Sequence, residues 1–186
     1  MAKNLKNKKI IIGVSSGVAI YKICTLTRLF LRNEFQVRVV MSENATKLIP
    51  PLTFQALTHF PVYTSMFNPI SPNGLDHINL SEWCDIFILA PATANTIGKI
   101  ANGIADNLLT TTILALPEKT PLIIVPAMND NMWKNIFTQE NMKKLEKRKN
   151  CHVIEPVKGT LASGKIGEGK MVEVEKIFED TKKYLK

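Results

Sequence analysis

The chain has 186 residues, of which 45% are hydrophobic and 22% are charged, with a formal net charge of +8 at pH 7. This composition is typical of a globular domain that buries a sizeable core. Its longest apolar runs fall far below the roughly 18 residues of a transmembrane helix. The apolar run that follows the basic segment Met1–Lys9 is too short for a secretory signal. We therefore expect a cytoplasmic protein that does not enter a membrane.

The basic residues and the cysteines each argue against a class of function. Lysines cluster in Lys3–Lys9, in Lys143–Lys149 and near the end of the chain, without interleaved aromatics or a recognisable nucleic-acid module. We interpret them as solvated surface that favours anionic ligands, not nucleic acid. Cys24, Cys84 and Cys151 are widely spaced and form no metal-ligand pattern with the histidines. Reduced thiols and no metal site are the prediction.

Apolar runs alternate with helical patterns along the chain. The predicted strands are Lys9–Ser15, Gln36–Met41, Ile86–Ala90, Leu122–Val125 and His152–Ile154. The predicted helices are Gly17–Leu31, Phe54–Leu57, Asn95–Ala101, Asn107–Ala115, Thr138–Arg148 and Val172–Tyr184, the third and fourth being either two helices or one broken helix. Pro61–Phe67 is weakly extended and Ser65–Asp76 is a loop. Strands that are apolar throughout predict one α/β domain over residues 1–186, a doubly wound parallel sheet with helices on both faces.

Two polar motifs directly follow predicted strands. Pro91–Thr96 comes after one apolar run and Pro126–Trp133 comes after the next. Ligands of open α/β sheets bind at the carboxyl ends of the strands, where amides, hydroxyls and free backbone N–H groups can hold a cofactor and a carboxylate. Asn95, Thr96 and Asn129 also have a simpler interpretation as helix N-caps. Two such motifs at two strand ends favour a small-molecule site with a cofactor.

A third strand end, Gly13–Gly17, opens directly into a helix. Its glycines and serines suit an anion at the helix N-terminus, but the spacing matches neither the dinucleotide fingerprint nor a P-loop. A tight turn without any ligand would have a similar sequence, so both interpretations stay open. His77 is likewise either a hydrogen-bonded loop residue or a catalyst.

Several segments, in order along nearly the whole chain, resemble the homo-oligomeric flavin-containing cysteine decarboxylases. They are Gly13–Lys22, His77–Leu80, Pro91–Thr96, Ile97–Thr111 and Pro126–Trp133. The resemblance implies a Rossmann/flavodoxin-like fold, FMN as cofactor, and a homotrimer, or a dodecamer assembled from trimers, with FMN at a subunit interface. A small phosphorylated cysteine conjugate is the implied substrate.

The segment Gly159–Met171 resembles the mobile substrate clamp of phosphopantothenoylcysteine decarboxylases, which make 4′-phosphopantetheine for coenzyme A. Gly164, Gly167 and Gly169 suit such a lid, because glycine permits hinge-like backbone changes. The family's clamp carries Ala-Cys, and that cysteine donates a proton in the second half-reaction. Ser163 stands at this position in the present chain.

The resemblance also implies roles for individual residues. Those implied to bind FMN are Ser16, Gly17, Val18, Ser42, Thr93, Ala94, Asn95 and Thr96. Those implied to bind substrate are Asn129, which would hold the carboxylate, and Ala127, Met128 and Ala162. The implied catalytic residues are His77, as general base or charge organiser, Asn129, and Ser163 in the place of the proton donor.

The implied chemistry explains why Ser163 matters. Two electrons pass from the substrate's cysteine unit to FMN, which gives a thioaldehyde, and CO₂ then leaves with an enethiolate as the product. A serine hydroxyl is far less acidic than a thiol, whose pKa is about 8.5, so we expect oxidation and decarboxylation to proceed. Loss of general acid catalysis would slow the final reduction by ~10²–10⁴-fold. Ser163 is an engineered change, a natural variant in which the hydroxyl or a water suffices, or the mark of an enzyme that releases the enethiol.

Other functions remain open within the same resemblance. Oxidative decarboxylases of C-terminal peptidyl-cysteine, of the lantibiotic type, need no clamp cysteine. Regulatory flavoproteins that inhibit a phosphatase are non-catalytic relatives, although they usually carry acidic tails and this chain ends in a basic helix. Flavin prenyltransferases share the fold but lack the Pro126–Trp133 motif. A ligase domain accompanies the decarboxylase in many bacteria, so the chain is a standalone enzyme or one part of a longer protein.

Overall fold

The computed structural model describes residues 5–185, so Lys186 and the first four residues of the basic segment Met1–Lys9 lie outside the described part. A parallel sheet of five strands forms its centre. The strands are β1 (Lys9–Val14), β2 (Gln36–Met41), β3 (Ile86–Ala92), β4 (Leu122–Pro126) and β5 (Cys151–Val153). Their order is β2-β1-β3-β4-β5, which is the flavodoxin-like order of doubly wound sheets. The predicted fold class is confirmed.

Helices cover both faces of the sheet. They are α1 (Tyr21–Arg32, preceded by a 3₁₀ turn at Val18–Ile20), α2 (Glu43–Thr46), α3 (Pro51–Thr58), α4 (Asp76–Trp83), α5 (Ala94–Ala101), α6 (Leu108–Leu114), α7 (Asp130–Lys134), α8 (Ile136–Glu146) and α9 (Val174–Tyr184). Successive side chains of a strand point to opposite faces. Ile10 and Ile12 therefore pack in one core with α1, α3 and α9, while Ile11 packs in the other with α4, α5, α6 and α8. Burial on both faces explains why the strand segments are apolar throughout.

A small antiparallel hairpin lies outside the sheet, between β5 and α9. Its strands are β6 (Val157–Thr160) and β7 (Ile166–Lys170). Without the family resemblance, the sequence indicated only a loop here. Most of β6 and alternate residues of β7 are exposed, so the segment lacks the apolar pattern by which a strand is recognised.

Several predicted elements differ from the structure. The loop before His77 ends in a helix, α4, and the buried carboxylate of its first residue, Asp76, accepts hydrogen bonds from the backbone of Ile70 (2.7 Å) and Ser71 (2.8 Å), which fix the loop to the start of the helix. Helix α3 begins earlier than predicted, with Pro51 in its first turn, where proline is tolerated. The segment Pro61–Phe67 forms no strand and contributes one isolated bridge to β2.

The uncertain pair of helices is resolved as two, α5 and α6. Asn107 caps α6, since its side chain accepts a hydrogen bond from the backbone N–H of Thr110 at 3.1 Å. Two short helices, α2 and α7, were not predicted. No described helix has the length and apolar character needed to cross a membrane.

Candidate functional site

The carboxyl ends of three strands and the hairpin enclose a cavity of ≈ 520 Å³. This volume falls within the range of roughly 300–1,000 Å³ that is common for ligand pockets. Its lining includes these predicted site residues: Ser16, Gly17, Val18, Thr93, Ala94, Ala127, Met128, Asn129, Ala162 and Ser163. Its other lining residues are Ala19, Tyr21, Lys22, Met132, Thr160, Leu161, Gly169, Lys170 and Met171. Segments that are distant in sequence thus meet at one edge of the sheet, where doubly wound proteins bind ligands.

A buried serine joins the first two strand ends. The Ser15 hydroxyl donates to the carbonyl of Pro91 at 2.6 Å and accepts from the backbone N–H of Thr93 at 2.9 Å. The backbone N–H of Ser15 also donates to the Pro91 carbonyl at 3.3 Å. These bonds fix the turn after β1 against the turn after β3, and Ser15 is therefore a positioning residue that the family roles did not include.

The turn after β1 offers donors to the cavity. Gly17 is extended, and the 3₁₀ turn and α1 follow it without a break. The first backbone N–H groups of a helical segment have no acceptor within it, and an anion is favoured there. The exposed Ser16 hydroxyl lies beside them. This turn has the donors that a phosphate group requires.

The turn after β3 divides the predicted residues into two groups. Thr93 caps α5, because its hydroxyl oxygen accepts from the backbone N–H of Thr96 at 3.4 Å. Thr96 is buried and its hydroxyl lies 3.2 Å from that of Thr93. Asn95 is exposed on α5. Thr93 and Ala94 line the cavity, whereas Asn95 and Thr96 do not. The N-cap interpretation of Asn95 and Thr96 is wrong, because both lie inside α5 and Thr93 is its N-cap.

Asn129 follows β4 and caps α7. Its side-chain oxygen accepts from the backbone N–H of Asn131 at 2.9 Å. With the oxygen engaged in this way, the amide nitrogen of Asn129 is left as the donor for a ligand. A donor without formal charge in a pocket lined by Met128 and Met132 suits a carboxylate that must be held and then released.

The base of the hairpin is fixed to the loop after β4. Gly169 has φ +134°, and a Cβ atom there would lie 2.3 Å from the carbonyl oxygen of Met128. The backbone N–H of Met128 donates to the carbonyl of Gly169 at 3.0 Å. The Asp130 carboxylate accepts from the backbone N–H of Glu168 at 2.6 Å, and this bond, with Lys134 beside it, lowers the pKa of Asp130. Only glycine can occupy position 169 without moving the hairpin away from this loop.

The tip of the hairpin has few contacts. The turn is closed by hydrogen bonds from Leu161 to the carbonyl of Lys165 and from Gly164 to that of Leu161, both 2.9 Å. Gly164 has φ +79° and open space around it. Ala162 and Ser163 are exposed and line the cavity. Ser163 therefore lies at the cavity on a hairpin tip that makes few contacts with the rest of the protein.

Besides Asn95 and Thr96, two further predicted residues lie outside the cavity lining. The side-chain oxygen of Ser42 accepts from the backbone N–H of Ala45 at 3.3 Å and caps α2. His77 lies half-buried in the first turn of α4. Neither lines the cavity, and one chain alone does not bring His77 to Ser163.

The three cysteines are free thiols, and burial disfavours their thiolate forms. Burial raises the pKa of Cys84 to about 12 and that of Cys151 to about 11. Burial also raises the pKa of Cys24. None of them lines the cavity, so no thiol of this chain takes the position that Ser163 occupies.

The role assignments omitted two lysines of the cavity, Lys22 and Lys170. For Lys22 a signal existed, because it follows Val18 by four residues and therefore lies one helical turn further along the same face. For Lys170 no local signal existed, since only the hairpin brings it to the cavity.

The strand order and the strand-end cavity define a flavodoxin-like α/β protein built to bind a small molecule. A family model described as Flavoprotein matches residues 1–186. The chain belongs to the flavoprotein family.

Curated relatives agree with this assignment. The chain is 43% identical over 180 residues to the coenzyme A biosynthesis bifunctional protein CoaBC of Bacillus subtilis, covering 97% of this chain and 44% of that protein. It is 38% identical over 178 residues to the probable phosphopantothenoylcysteine decarboxylase of Streptococcus mutans, covering 96% of this chain and 99% of that protein. The chain thus spans less than half the length of its bifunctional relatives and nearly all of the shorter one.

Solved structures show the same fold. A cysteine-to-serine mutant of PPC decarboxylase, complexed with pantothenoylaminoethenethiol, superimposes with a TM-score of 0.84 at 33% identity over 96% of this chain and 98% of that one. The peptidyl-cysteine decarboxylase EpiD gives a TM-score of 0.78 at 30% identity over 93% of this chain and 97% of that one.

Proposed function

We propose that this protein is an FMN-dependent decarboxylase that acts on 4′-phosphopantothenoylcysteine in the synthesis of coenzyme A. The observation that carries the proposal is the cavity itself, which gathers Asn129, the strand-end turns and the Ser163 tip. Two kinds of relative support it, bifunctional coenzyme A proteins and a decarboxylase of similar length. The reaction belongs in the cytoplasm, whose reducing conditions suit a thiol substrate and three free cysteines.

The donor set of the cavity fits FMN. Ser16, Gly17 and Val18 would hold its phosphate at the start of the helix, and Thr93 and Ala94 would lie along the rest of the cofactor. The lining is otherwise apolar or uncharged except for two lysines, which suits a flat ring joined to an anion. When bound, FMN supplies the two-electron oxidation that makes the substrate carboxylate a leaving group.

The chain's own residues would position the substrate and manage its protons. The free amide nitrogen of Asn129 would hold the carboxylate until it leaves as CO₂, with Ala127 and Met128 shaping the space around it. The segment Gly159–Met171 would act as the clamp that covers the substrate and excludes water. Ser163 would face the enethiol, and a serine hydroxyl, which is far less acidic than a thiol, is a poor proton donor.

His77 would serve as the base only in the cavity of another copy of the chain. It does not line the cavity of its own chain, and it lies in the layer formed by α4, α5, α6 and α8. In keeping with the family resemblance, we infer a homotrimer, or a dodecamer assembled from four trimers, in which α4 of one subunit completes the site of the next.

Ser163 also favours a second candidate, oxidative decarboxylation of a C-terminal peptidyl-cysteine. That reaction ends at the enethiol and requires no proton donor at the clamp. The likeness to the peptidyl-cysteine decarboxylase EpiD, at 30% identity, supports this alternative. The two candidates differ in substrate, one being a phosphorylated pantothenoyl conjugate and the other a peptide.

Substrate competition tests the proposal. The purified FMN-loaded protein would be incubated without oxygen with an equimolar mixture of phosphopantothenoylcysteine and peptides that end in cysteine. We expect only the first to lose CO₂, as measured by mass spectrometry, and the Asn129→Ala variant to convert neither at a comparable rate. Selective consumption of the peptides would support the second candidate, and consumption of neither would refute both.

A further inference from the structure

Two lysines are the only charged side chains among the described residues that line the cavity. Lys22 projects from the first turn of α1 and Lys170 ends β7, and no carboxylate lines the cavity with them. The cavity wall is therefore positive, although the rest of its lining is uncharged.

Both lysines pair with one carboxylate, that of Glu173. The Lys22 ammonium lies 2.9 Å from Oε2 of Glu173, and the Lys170 ammonium lies 3.2 Å from Oε1. Glu173 is the N-cap residue of α9 and does not line the cavity. One negative charge thus faces two positive ones, and the cluster keeps one net positive charge beside the cavity.

The two lysines are held in place. The Lys22 side chain is only 14% exposed, so the surrounding residues restrict its movement. The stem of Lys170 packs over Gly159, where an added Cβ atom would lie 2.8 Å from its Cδ. Each ammonium has three N–H donors and spends one on Glu173. Oriented donors therefore remain, with an excess positive charge, for an anionic ligand group.

A phosphate monoester matches this cluster better than a carboxylate does. It carries about −1.5 to −2 charges at neutral pH and several strong acceptor oxygens, whereas Asn129 already supplies an uncharged donor for a carboxylate. The cofactor's own phosphate is assigned to the turn at Ser16–Val18. The lysine cluster is then left for the phosphate of the substrate.

We propose that Lys22 and Lys170 form the subsite that recognises the substrate's phosphate, an inference that rests on the proposed function. Lys170 lies on the same hairpin as Ser163, so phosphate binding would also hold the clamp over the cavity. A peptide ending in cysteine has no such phosphate, and the subsite therefore selects against it.

The test compares substrates with and without the phosphate in matched variants. The preference for phosphopantothenoylcysteine over pantothenoylcysteine would be measured as a ratio of kcat/KM values, from CO₂ loss. We expect the wild type to prefer the phosphorylated substrate by about 10–100-fold, the range of hydrogen bonds to charged groups. Lys22→Gln and Lys170→Gln should each reduce that preference at least several-fold. Lys143→Gln, which removes an equal charge from an exposed position of α8 outside the cavity lining and outside the clamp, should keep it.

A second variant tests whether a loss of preference in the glutamine variants comes from misfolding. Gly159→Ala would displace the flexible Lys170 side chain without changing any charge, and we expect an intermediate preference from it. Unchanged preference in both glutamine variants would overturn the proposal. A loss of selectivity for FMN over riboflavin, with the substrate preference intact, would assign the lysines to the cofactor and overturn the substrate assignment.

Equilibrium binding separates this inference from the proposed function. Isothermal titration with phosphopantothenate and with pantothenate, neither of which can be decarboxylated as a cysteine, measures the subsite alone. Tighter binding of phosphopantothenate that depends on Lys22 and Lys170 would support the subsite even if the wild type decarboxylates neither substrate. Equal binding of the two would refute the subsite even if decarboxylation is observed.

Discussion

The two walls of the cavity are built in different ways. The turns after β1, β3 and β4 continue strands that are almost wholly buried, and the buried Ser15 joins two of them through hydrogen bonds of 2.6 and 2.9 Å. The hairpin wall has mostly exposed strands and is attached through the contacts of β7 with Met128 and Asp130. Segments with few buried contacts open most easily. The strand-end turns are therefore suited to holding a cofactor, and the hairpin tip to a step that needs motion.

The largest expected effect belongs to the hairpin tip. Ser163→Cys supplies a thiol where the hydroxyl stands, and we predict that the reduction step becomes ~10²–10⁴-fold faster. The measurement is the rate of 4′-phosphopantetheine formation under multiple turnovers. Ser163→Ala is the matched control, and a large further loss in that variant would mean that the hydroxyl already works as a donor.

The next effect tests the strand-end wall. Ser15→Ala removes both bonds of the hydroxyl and leaves the Pro91 carbonyl and the Thr93 N–H without that partner. Unsatisfied buried groups cost about 1–3 kcal/mol, so the free energy of unfolding should fall by that amount and FMN should bind more weakly. Chemical denaturation and fluorescence titration with FMN measure these changes. Unchanged FMN affinity would show that FMN binding does not depend on the Ser15 hydrogen bonds that join the two turns.

A smaller effect should follow from loosening the base of the hairpin. Gly169→Ala places a Cβ atom against the Met128 carbonyl at a φ of +134°. We expect a KM about tenfold higher, one tenfold step being about 1.4 kcal/mol, with little change in FMN affinity. Gly103→Ala is the control, because Gly103 also has a positive φ (+72°) but open space around it. Equal effects of the two changes on KM would contradict the docking role of Gly169.

The smallest effect concerns pH. Hydrogen bonds from Lys22 and Lys170 lower the pKa of Glu173. A carboxylate whose pKa is lowered on folding stabilises the fold fully above its ordinary pKa of about 4.3, and this contribution is lost as pH falls through the folded value. Because Glu173 is largely exposed, the contribution should stay below about 1 kcal/mol. The difference in unfolding free energy between wild type and Glu173→Gln should therefore shrink from pH 7 towards pH 3.5, and a constant difference would contradict this pairing.

Buried elements were predictable because burial requires runs or stripes of apolar residues, which the sequence shows. Strand β2 was predicted with both ends correct, and β1, β3, β4 and β5 with ends shifted by one or two residues. Helix α4 was missed because it buries few of its residues, with Leu80 the only large apolar one, and it has no apolar stripe. The hairpin was missed by residue pattern for a similar reason, since exposed strands carry no alternation to detect.

Within the site, too, the residues that were predictable from the sequence are those next to buried strands. Residues in the strand-end turns, such as Gly17, Thr93 and Asn129, were predicted because each directly follows a buried strand. Lys22 and Glu173 are joined by an ion pair across 151 positions of sequence, and local periodicity contains no information about such a contact. His77 and Asn95 carry family roles that the cavity of one chain does not test.

Anaerobic rapid mixing of the FMN-loaded protein with phosphopantothenoylcysteine tests most directly whether the two walls serve separate half-reactions. Flavin absorbance and product mass would be followed together, in the wild type and in Ser163→Cys. We predict lasting bleaching in the wild type, with a product that lacks CO₂ and two hydrogens, and recovery of the oxidised flavin with 4′-phosphopantetheine in Ser163→Cys. Recovery in the wild type at the rate of Ser163→Cys would contradict the division, since Ser163 would then impose no block.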